Sequence, residues 1–258
     1  MKTLTVTRYV APLHEGGSLP AIVETDDEGL YVLKFRGAGQ GLKALIAELL
    51  AGEIARALGL PMPDIAFVEL DPDLARTEPD PEIQELIRAS AGLNFAIDYL
   101  PGSVMFDPVA TQPAAALASD IVWFDAYVSN VDRTANNTNM LMWHHELKLI
   151  DHGAALYFHH AWDDYLARSR TPFARIKDHV LLPFAAELAA ADARMSARLT
   201  PEKVRTIVAS IPDDWLKDTR PFATSAENRQ AYVEYLLARL QPPHAFIEEA
   251  IRARSLLV

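Results

Sequence analysis

Three polar side chains near the middle of the sequence have the chemistry that phosphoryl transfer requires. Asp132 and Asn137 are five residues apart in a polar segment between two apolar ones, and Asp151 lies 14 residues beyond Asn137. The carboxylate of Asp132 can accept or orient the proton of an attacking hydroxyl group. Asn137 and Asp151 can supply the hard oxygen ligands that Mg²⁺ prefers. Gly153 permits a sharp turn of the chain beside the ion.

The spacing of these residues is that of a kinase catalytic loop, Asp-x-x-x-x-Asn, followed by Asp-x-Gly at the end of a hairpin. The same pattern requires a cation for the nucleotide phosphates on an earlier strand, and Lys34 in the apolar "LYVLKF" matches it. Backbone donors for the phosphates are expected in the turn ahead of this lysine, from Gly16, Gly17 and Ser18. A second glycine-rich segment, residues 36–41, remains an alternative.

A buried lysine needs a carboxylate partner. The helix predicted after Lys34 offers two candidates, Glu48 and Glu53. By helical periodicity Glu53 projects towards the apolar stripe that carries Leu45 and Leu49, whereas Glu48 projects away from it. Periodicity alone therefore favours Glu53, but it leaves the choice open.

The polar segment contains three other residues with candidate roles, Arg133, Asn136 and Asn139. Arg133 is expected either to contact a phosphate group or to pair with an acid. Asn136 and Asn139 could bind a metal ion, but hydrogen bonds that cap the loop are the preferred interpretation.

The first third of the sequence has the alternation and the β-branched content of strands. One helix is predicted at residues 42–59, where Gly59 and Pro61 form a C-terminal stop signal. Residues 71–82 are rich in Pro and Asp and are predicted to form an exposed loop. Strands are predicted at residues 3–10, 19–25, 29–35, 64–70 and 94–102.

Beyond about residue 103 the pattern becomes mostly helical. A long apolar helix is predicted at residues 116–130, and a tight hairpin at 140–151 that turns around residues 144–146. Further helices are predicted at residues 172–190, 200–210, 225–240 and 243–254.

This order of elements predicts an α+β fold with two lobes. Residues 1–100 would form a small β-rich N-terminal lobe, with an antiparallel sheet and one helix. Residues 101–258 would form a mainly helical C-terminal lobe that carries the catalytic loop and the metal-binding Asp.

The composition restricts the partners of the chain. The net charge of −11 argues against binding to nucleic acid or to an anionic membrane, since both require excess Lys and Arg. The absence of cysteine excludes disulfides, thiolate nucleophiles and Cys-type zinc sites. No apolar run approaches the ~18 residues of a membrane span, and no signal peptide is recognisable. A cytoplasmic protein without stable membrane insertion is expected.

Several segments of the sequence resemble the HipA-like kinases, a bacterial branch of the protein-kinase-like fold. The segments are "YVLKF", "AELLAGEIARALGLPMPD", "DYLPG", "FDAYVSNVDRTANNTNML" and "LKLIDHGAAL", and they extend over roughly residues 3–160. The "VDRTANN" and "LIDHG" motifs are also similar to those of the type II phosphatidylinositol 4-kinases. The resemblance implies a kinase-like fold that binds ATP and Mg²⁺.

The resemblance also assigns roles by motif match. It implies that Asp132 is the catalytic Asp, that Asn137 and Asp151 are the Mg²⁺ ligands, and that Lys34 binds the phosphates of ATP.

For the remaining nucleotide contacts, the resemblance favours Glu48 over Glu53 as the partner of the lysine. It places the adenine-binding hinge in "AIDYLPG", through backbone groups of Asp98, Tyr99 and Leu100.

The sequence therefore predicts a kinase that transfers the γ-phosphoryl group of ATP to a hydroxyl group. A Ser/Thr protein kinase is the leading expectation. A small-molecule or lipid-headgroup kinase and a non-catalytic nucleotide-binding interaction module remain alternatives. The identity of the phosphoacceptor, whether a protein or a small molecule, is left open.

Overall fold

The computed structural model describes residues 1–13, 19–39, 41–217 and 221–257 of the chain. The chain divides into two compact units. The first unit contains Met1–Leu49 and Pro63–Ser103, and the second contains Leu50–Met62 and Val104–Val258. In the part of the chain that the structure describes, no helix is long and apolar enough to cross a bilayer.

Five strands of the first unit close into a barrel in the order β1-β2-β3-β5-β4. They are β1 (Thr3–Pro12), β2 (Ala21–Thr25), β3 (Leu30–Lys34), β4 (Ile65–Leu70) and β5 (Gly92–Asp98). All five confirm strands predicted from the sequence. The predicted antiparallel sheet is wrong in one respect, because β1 and β4 pair in parallel, with Thr3 opposite Phe67. Strand alternation shows which face is buried, but it does not show which strands become neighbours.

Alternating side chains of these strands fill the barrel. In β2, Ala21, Val23 and Thr25 are buried and the residues between them are partly exposed. Leu33 of β3 and Val68 of β4 join the same apolar cluster. The strand pattern in the sequence therefore has a direct structural cause, since residues two apart share one face of a strand.

Helix α1 (Gly41–Leu58) follows β3 and ends at the predicted stop signal. Gly59 has a φ of +77°, which is the left-handed conformation typical of the residue after a helix. The eight consecutive residues 45–52 are all buried. Helix α1 is therefore enclosed around its whole circumference at this point, rather than along one stripe.

The predicted loop at residues 71–82 is wrong. A short 3₁₀ helix covers Pro72–Thr77, and helix α2 covers Pro81–Ala89. The carboxylate of Asp80 accepts a hydrogen bond from the backbone N–H of Glu82 and caps α2. Asp followed by Pro is turn chemistry, but it is equally an N-cap followed by Pro in the first helical position.

Helix α3 (Ala115–Val128) and a small sheet position the polar segment in the second unit. The helix is buried along most of its length, which explains why its sequence is mainly apolar, with Asp125 as a buried exception. The sheet has the order β6-β7-β8, with strands β6 (Val104–Met105), β7 (Met140–Trp143) and β8 (Glu146–Leu149). The predicted hairpin is confirmed, and its two turn residues, His144 and His145, both have positive φ.

The helix predicted at residues 172–190 is wrong. Two short 3₁₀ helices, Ala174–Asp178 and Leu182–Phe184, lie within an otherwise irregular segment, where Pro183 cannot donate a backbone hydrogen bond. The helices predicted at residues 200–210, 225–240 and 243–254 are confirmed, and Thr224 and Glu227 form a capping box at the start of the second of these. Two helices, Tyr165–Ser169 and Leu188–Arg198, were not predicted. The helices of this region are α4 (Tyr165–Ser169), α5 (Leu188–Arg198), α6 (Pro201–Ala209), α7 (Ser225–Arg239) and α8 (Ala245–Ser255).

The glycines at positions 37 and 39 provide a test of the packing between α2 and the segment after β3. A Cβ atom added at Gly37 would lie 2.8 Å from the backbone of Ala89, whereas one added at Gly39 would meet nothing within 4 Å. We expect Gly37→Ala to lower the free energy of unfolding by about 1–3 kcal/mol, because neighbouring backbone must shift. Urea denaturation measures the change. Gly39→Ala is the matched control, and an equal loss in both variants would contradict the prediction.

Candidate active site

Lys34 and Glu48 form a buried ion pair in the first unit. The Lys34 Nζ atom lies 3.2 Å from Glu48 Oε1, and the two residues are 7% and 3% exposed. Glu53 instead pairs with Arg56 at 2.9 Å on the surface of α1. The preference for Glu53 from periodicity is therefore wrong. Periodicity identifies a buried face only when the other faces meet solvent, and residues 45–52 of α1 are buried on every side.

The structure brings Asp132 and Asn137 together in the loop that follows α3. The Asp132 Oδ2 atom accepts hydrogen bonds from the side-chain amides of Asn137, at 2.8 Å, and Asn139, at 3.2 Å. Reciprocal backbone bonds between Thr134 and Asn137 close the loop between them. Asn139 thus has the loop-capping role that was preferred for it. Two amide donors hold one carboxylate oxygen in place, so the orientation of Asp132 is defined by the loop itself.

Asp151 lies directly after β8, with a φ of +53°. We call residues 130–139 the catalytic loop, after the sequence motif that they carry. The residue before Asp151 is joined to this loop, since the Ile150 backbone N–H donates to the Asn139 carbonyl at 3.0 Å. Among the described residues, no group of three or more His, Cys, Asp or Glu side chains is arranged to hold a metal ion. Asp151 and Asn137 carry oxygen donors of the kind that could hold a metal ion.

The predicted hinge residues lie at the end of β5. The backbone N–H groups of Asp98 and Tyr99 donate to the carbonyls of Asp64, at 2.7 Å, and Leu30, at 2.9 Å. Burial and, secondarily, the nearby Asp64 carboxylate raise the pKa of Asp98. These two N–H groups therefore already have hydrogen-bond partners within the first unit. Leu100, the third hinge residue, is buried.

The predicted phosphate-binding residues Gly16, Gly17 and Ser18 lie outside the described residues. The alternative segment, residues 36–41, is described except at position 40. At Gly37 the backbone N–H donates to the Ser90 hydroxyl at 3.1 Å. The close approach of Ala89 gives this glycine a packing role of its own.

A buried network that no sequence motif predicted lies beside the catalytic loop. Arg133 Nε donates to Asp125 Oδ2 at 2.6 Å, and neither side chain is exposed. Arg133 therefore pairs with an acid, which was one of its two expected roles. The imidazole of His179 lies 2.8 Å from the same carboxylate oxygen, and His152 lies 3.0 Å from the guanidinium. The available signal was Asp125 itself, a lone acid within the apolar "IVWFDAYV".

The protonation of this network follows from its contacts. Burial opposes ionisation of Asp125, but the charge of Arg133 and the hydrogen bond from His179 outweigh it and hold the pKa of the carboxyl well below its usual range. His179 Nδ1 accepts from the Leu181 backbone N–H at 3.0 Å. The proton of the imidazole therefore lies on Nε2, which donates to Asp125. Hydrogen bonds thus link Asp125, Arg133 and His179 into one network.

The network ties three distant segments to the catalytic loop. Asp125 belongs to α3, His152 follows Asp151, and His179 belongs to the irregular segment before α5. The backbone adds to these ties, because Thr134 bridges to His179 and the Val180 N–H donates to the Arg133 carbonyl at 3.2 Å. The network therefore anchors the backbone next to Asp132, while Asn137 and Asn139 orient its carboxylate.

The fold is similar to that of one solved kinase structure, and two further kinase structures match with lower scores. A Helicobacter pylori proinflammatory kinase, CtkA, superposes with a TM-score of 0.55 over 93% of this chain and 95% of its own, at 14% identity. The Golgi casein kinase matches with a TM-score of 0.48 over 98% of this chain and 72% of its own, at 10% identity. The same kinase with Mn/ADP bound matches with a TM-score of 0.49, at 11% identity, over 95% and 75% of the two chains.

The family follows from the sequence. A family model described as HipA-like kinase matches residues 6–248. The chain therefore belongs to the HipA-like kinase family, and it is an ATP-dependent kinase. No curated protein matches the sequence.

Asp125→Asn tests the buried network. It leaves the guanidinium of Arg133 without its counter-ion, and we expect a loss of about 3–5 kcal/mol in the free energy of unfolding at neutral pH. Asp120→Asn, which removes the partly exposed partner of Arg194, should cost less than about 1 kcal/mol. Chemical denaturation of both variants measures the difference.

The pH dependence of the same variant has a definite sign. The pKa of Asp125 is lowered in the folded state, so its contribution to stability is present above its unfolded pKa, about 4, and is lost as the pH falls below that value. The free energy of unfolding of the wild type should fall more steeply with acidification than that of Asp125→Asn. Parallel curves below pH ~4 would contradict this assignment.

Proposed function

We propose that this kinase is a Ser/Thr protein kinase that transfers the γ-phosphoryl group of MgATP to a hydroxyl group of a protein acceptor. The observation that carries the proposal is the hydrogen bond between Asp132 and Asn137. It joins the two residues that the catalytic-loop motif requires to act together. The choice of a protein acceptor follows the resemblance to HipA-like kinases.

Asp132 is proposed as the catalytic residue that accepts or orients the proton of the acceptor hydroxyl. Its Oδ2 atom is held by the amides of Asn137 and Asn139. In the part of the chain that the structure describes, both side-chain hydrogen bonds of this carboxylate are accepted by Oδ2. The Oδ1 atom could therefore accept the hydrogen bond of the acceptor hydroxyl group. A fixed acceptor atom lowers the entropic cost of aligning the hydroxyl with the phosphoryl group.

Asn137 and Asp151 are proposed to hold Mg²⁺. Asn137 directs its amide nitrogen to Asp132, which leaves its oxygen as a ligand, and Asp151 offers a carboxylate. Both are hard oxygen donors, and they fit the chemistry of this ion. When bound, the ion supplies positive charge against the phosphate oxygens.

Lys34 is proposed to contact the ATP phosphates, with Glu48 holding its ammonium group in position. Backbone donors from Gly16, Gly17 and Ser18 would complete the phosphate site.

For the adenine ring, the hinge contacts would come from Leu100 and from carbonyl oxygens, since the N–H groups of Asp98 and Tyr99 are already bonded. The proposal takes residues 1–100 and 101–258 as the two lobes of the kinase. The cytoplasmic location and the absence of nucleic-acid and membrane partners remain predictions.

Glu48→Gln tests the lysine site. Removing the carboxylate leaves a buried ammonium without its counter-ion, and we expect at least a tenfold rise in the KM for MgATP. Glu53→Gln, on the same helix but in a surface pair, should leave this KM within twofold. Steady-state kinetics at varied MgATP measure both. Equal effects in the two variants would remove Glu48 from the site.

Asp132→Asn tests the function. We expect turnover to fall at least 100-fold, because the amide cannot accept the hydroxyl proton, while MgATP still raises the melting temperature. Asp163→Asn, an exposed acid of the second unit, is the matched control. The measurement is transfer of labelled phosphate to protein, lipid-headgroup and small-molecule acceptors.

The outcomes of this experiment separate the alternatives. Phosphorylation of small acceptors but not of proteins would favour the small-molecule or lipid kinase. MgATP binding by the wild type without transfer to any acceptor, itself included, would favour the interaction module. Full turnover by Asp132→Asn would refute the catalytic assignment.

A further inference from the structure

A pocket of about 230 Å³ lies beside the catalytic loop in the second unit. Ser129, at the end of α3, and Val131 line it. Val131 is the residue before Asp132, and adjacent Cα atoms are about 3.8 Å apart. The pocket therefore begins next to the proposed catalytic residue. Its volume is below the roughly 300–1,000 Å³ of drug-sized ligand sites, so it suits a side chain better than a nucleotide.

The charge of this pocket is opposite to that of the chain. Arg168, Arg175 and Arg239 line it, and no Asp or Glu is among its described lining residues. The whole chain has 35 acidic and 24 basic residues, with a net charge of −11. Three guanidinium groups around one concave surface create a local positive potential that attracts anions. We call this site the arginine pocket.

Arg239 forms a rigid part of the arginine pocket. It is 3% exposed, and its guanidinium donates to the carbonyls of Ala126 and Tyr127 at 2.8 Å and of Ser169 at 2.9 Å. Backbone carbonyls hold the group without neutralising its positive charge. This arginine therefore contributes a fixed charge as well as structural support.

Arg168 and Arg175 lie nearer to solvent. Arg168 donates to the Ala161 carbonyl at 2.5 Å, and its side chain is thereby oriented. Arg175 is exposed. Its planar group can form two parallel hydrogen bonds with a carboxylate.

The wall that carries Arg175 is tied to the catalytic loop. Thr171, Pro172 and Phe173 also line the arginine pocket, and they belong to the irregular segment that contains His179. His179 bonds to Asp125 and bridges to the catalytic loop at Thr134. The wall and the catalytic loop are thus held by one network, which fixes the pocket relative to the site of transfer.

We propose that the arginine pocket binds an acidic side chain of the protein acceptor, close to the hydroxyl group that is phosphorylated. This inference rests on the proposed function and names its substrate class: Ser or Thr residues with Asp or Glu nearby. Arg175, at the mouth of the arginine pocket, binds the carboxylate of this side chain. The fixed positive charge of Arg239 adds to the attraction.

Peptide binding tests the arginine pocket without requiring catalysis. The probes are fluorescent peptides with one Ser flanked on both sides by Glu, by Gln or by Lys, and the protein carries Asp132→Asn. Fluorescence anisotropy should show the Glu peptide binding at least tenfold more tightly than the Lys peptide. Adding Arg175→Glu should abolish or reverse this preference, because it changes the sign of the charge at the mouth. Arg175→Ala should weaken it.

Arg205→Glu is the matched control, since Arg205 is an exposed arginine of α6 that does not line the pocket. It changes the net charge equally and should leave the preference unchanged. Equal binding of the three peptides, or equal effects of Arg175→Glu and Arg205→Glu, would overturn the inference.

Turnover with the same peptides separates this inference from the proposed function. Selective binding of the Glu peptide without phosphate transfer by the wild type would leave the arginine pocket standing and count against the protein kinase. Transfer to all three peptides at equal kcat/KM would refute the selectivity and leave the kinase standing.

Discussion

The buried ion pair between Asp125 and Arg133 is the interaction on which the catalytic region depends. Removing two charges from water costs several kcal/mol each, and their attraction offsets this only when the remaining hydrogen-bonding groups are satisfied. Here they are satisfied: His179 and Asn130 bond to the carboxylate, and His152 and the Asn139 carbonyl contact the guanidinium. The ion pair is therefore stable although both side chains are fully buried. The groups that bond to it hold the chain in place around it.

This arrangement explains how a loop can hold the carboxylate of Asp132, the proposed catalytic residue, in one orientation. Asp132 lies between Val131, which faces the arginine pocket, and Arg133, which is locked in the core. The backbone on one side of Asp132 is thus anchored in the core, while the carboxylate stays partly exposed. The same principle applies at Lys34, where a buried carboxylate orients the cation that we propose to bind the ATP phosphates. In both places a buried charge orients a side chain to which we assign a role in the reaction.

Much of the secondary structure of this protein can be predicted from short-range sequence patterns. The strands of the barrel, the hairpin of β7 and β8, and the capped helices α6 and α7 follow from alternation, turn residues and caps that act within a few residues. The spacing of Asp132, Asn137 and Asp151 is equally local, because a loop and a hairpin of fixed length separate them. These features depend on neighbours along the chain, so the sequence alone determined them.

Features that depend on distant neighbours were decided by the tertiary structure. The parallel pairing of β1 with β4 and the partners of Asp125 arise between segments that no local pattern connects. Helical periodicity likewise did not identify Glu48 as the partner of Lys34, although the resemblance to HipA-like kinases favoured it. The backbone around His179 is irregular although its sequence predicts a helix, because its apolar residues and its bridge to the catalytic loop serve long-range packing. Burial on every side and pairing across tens of residues leave no periodic signal, and only the folded chain shows which groups meet.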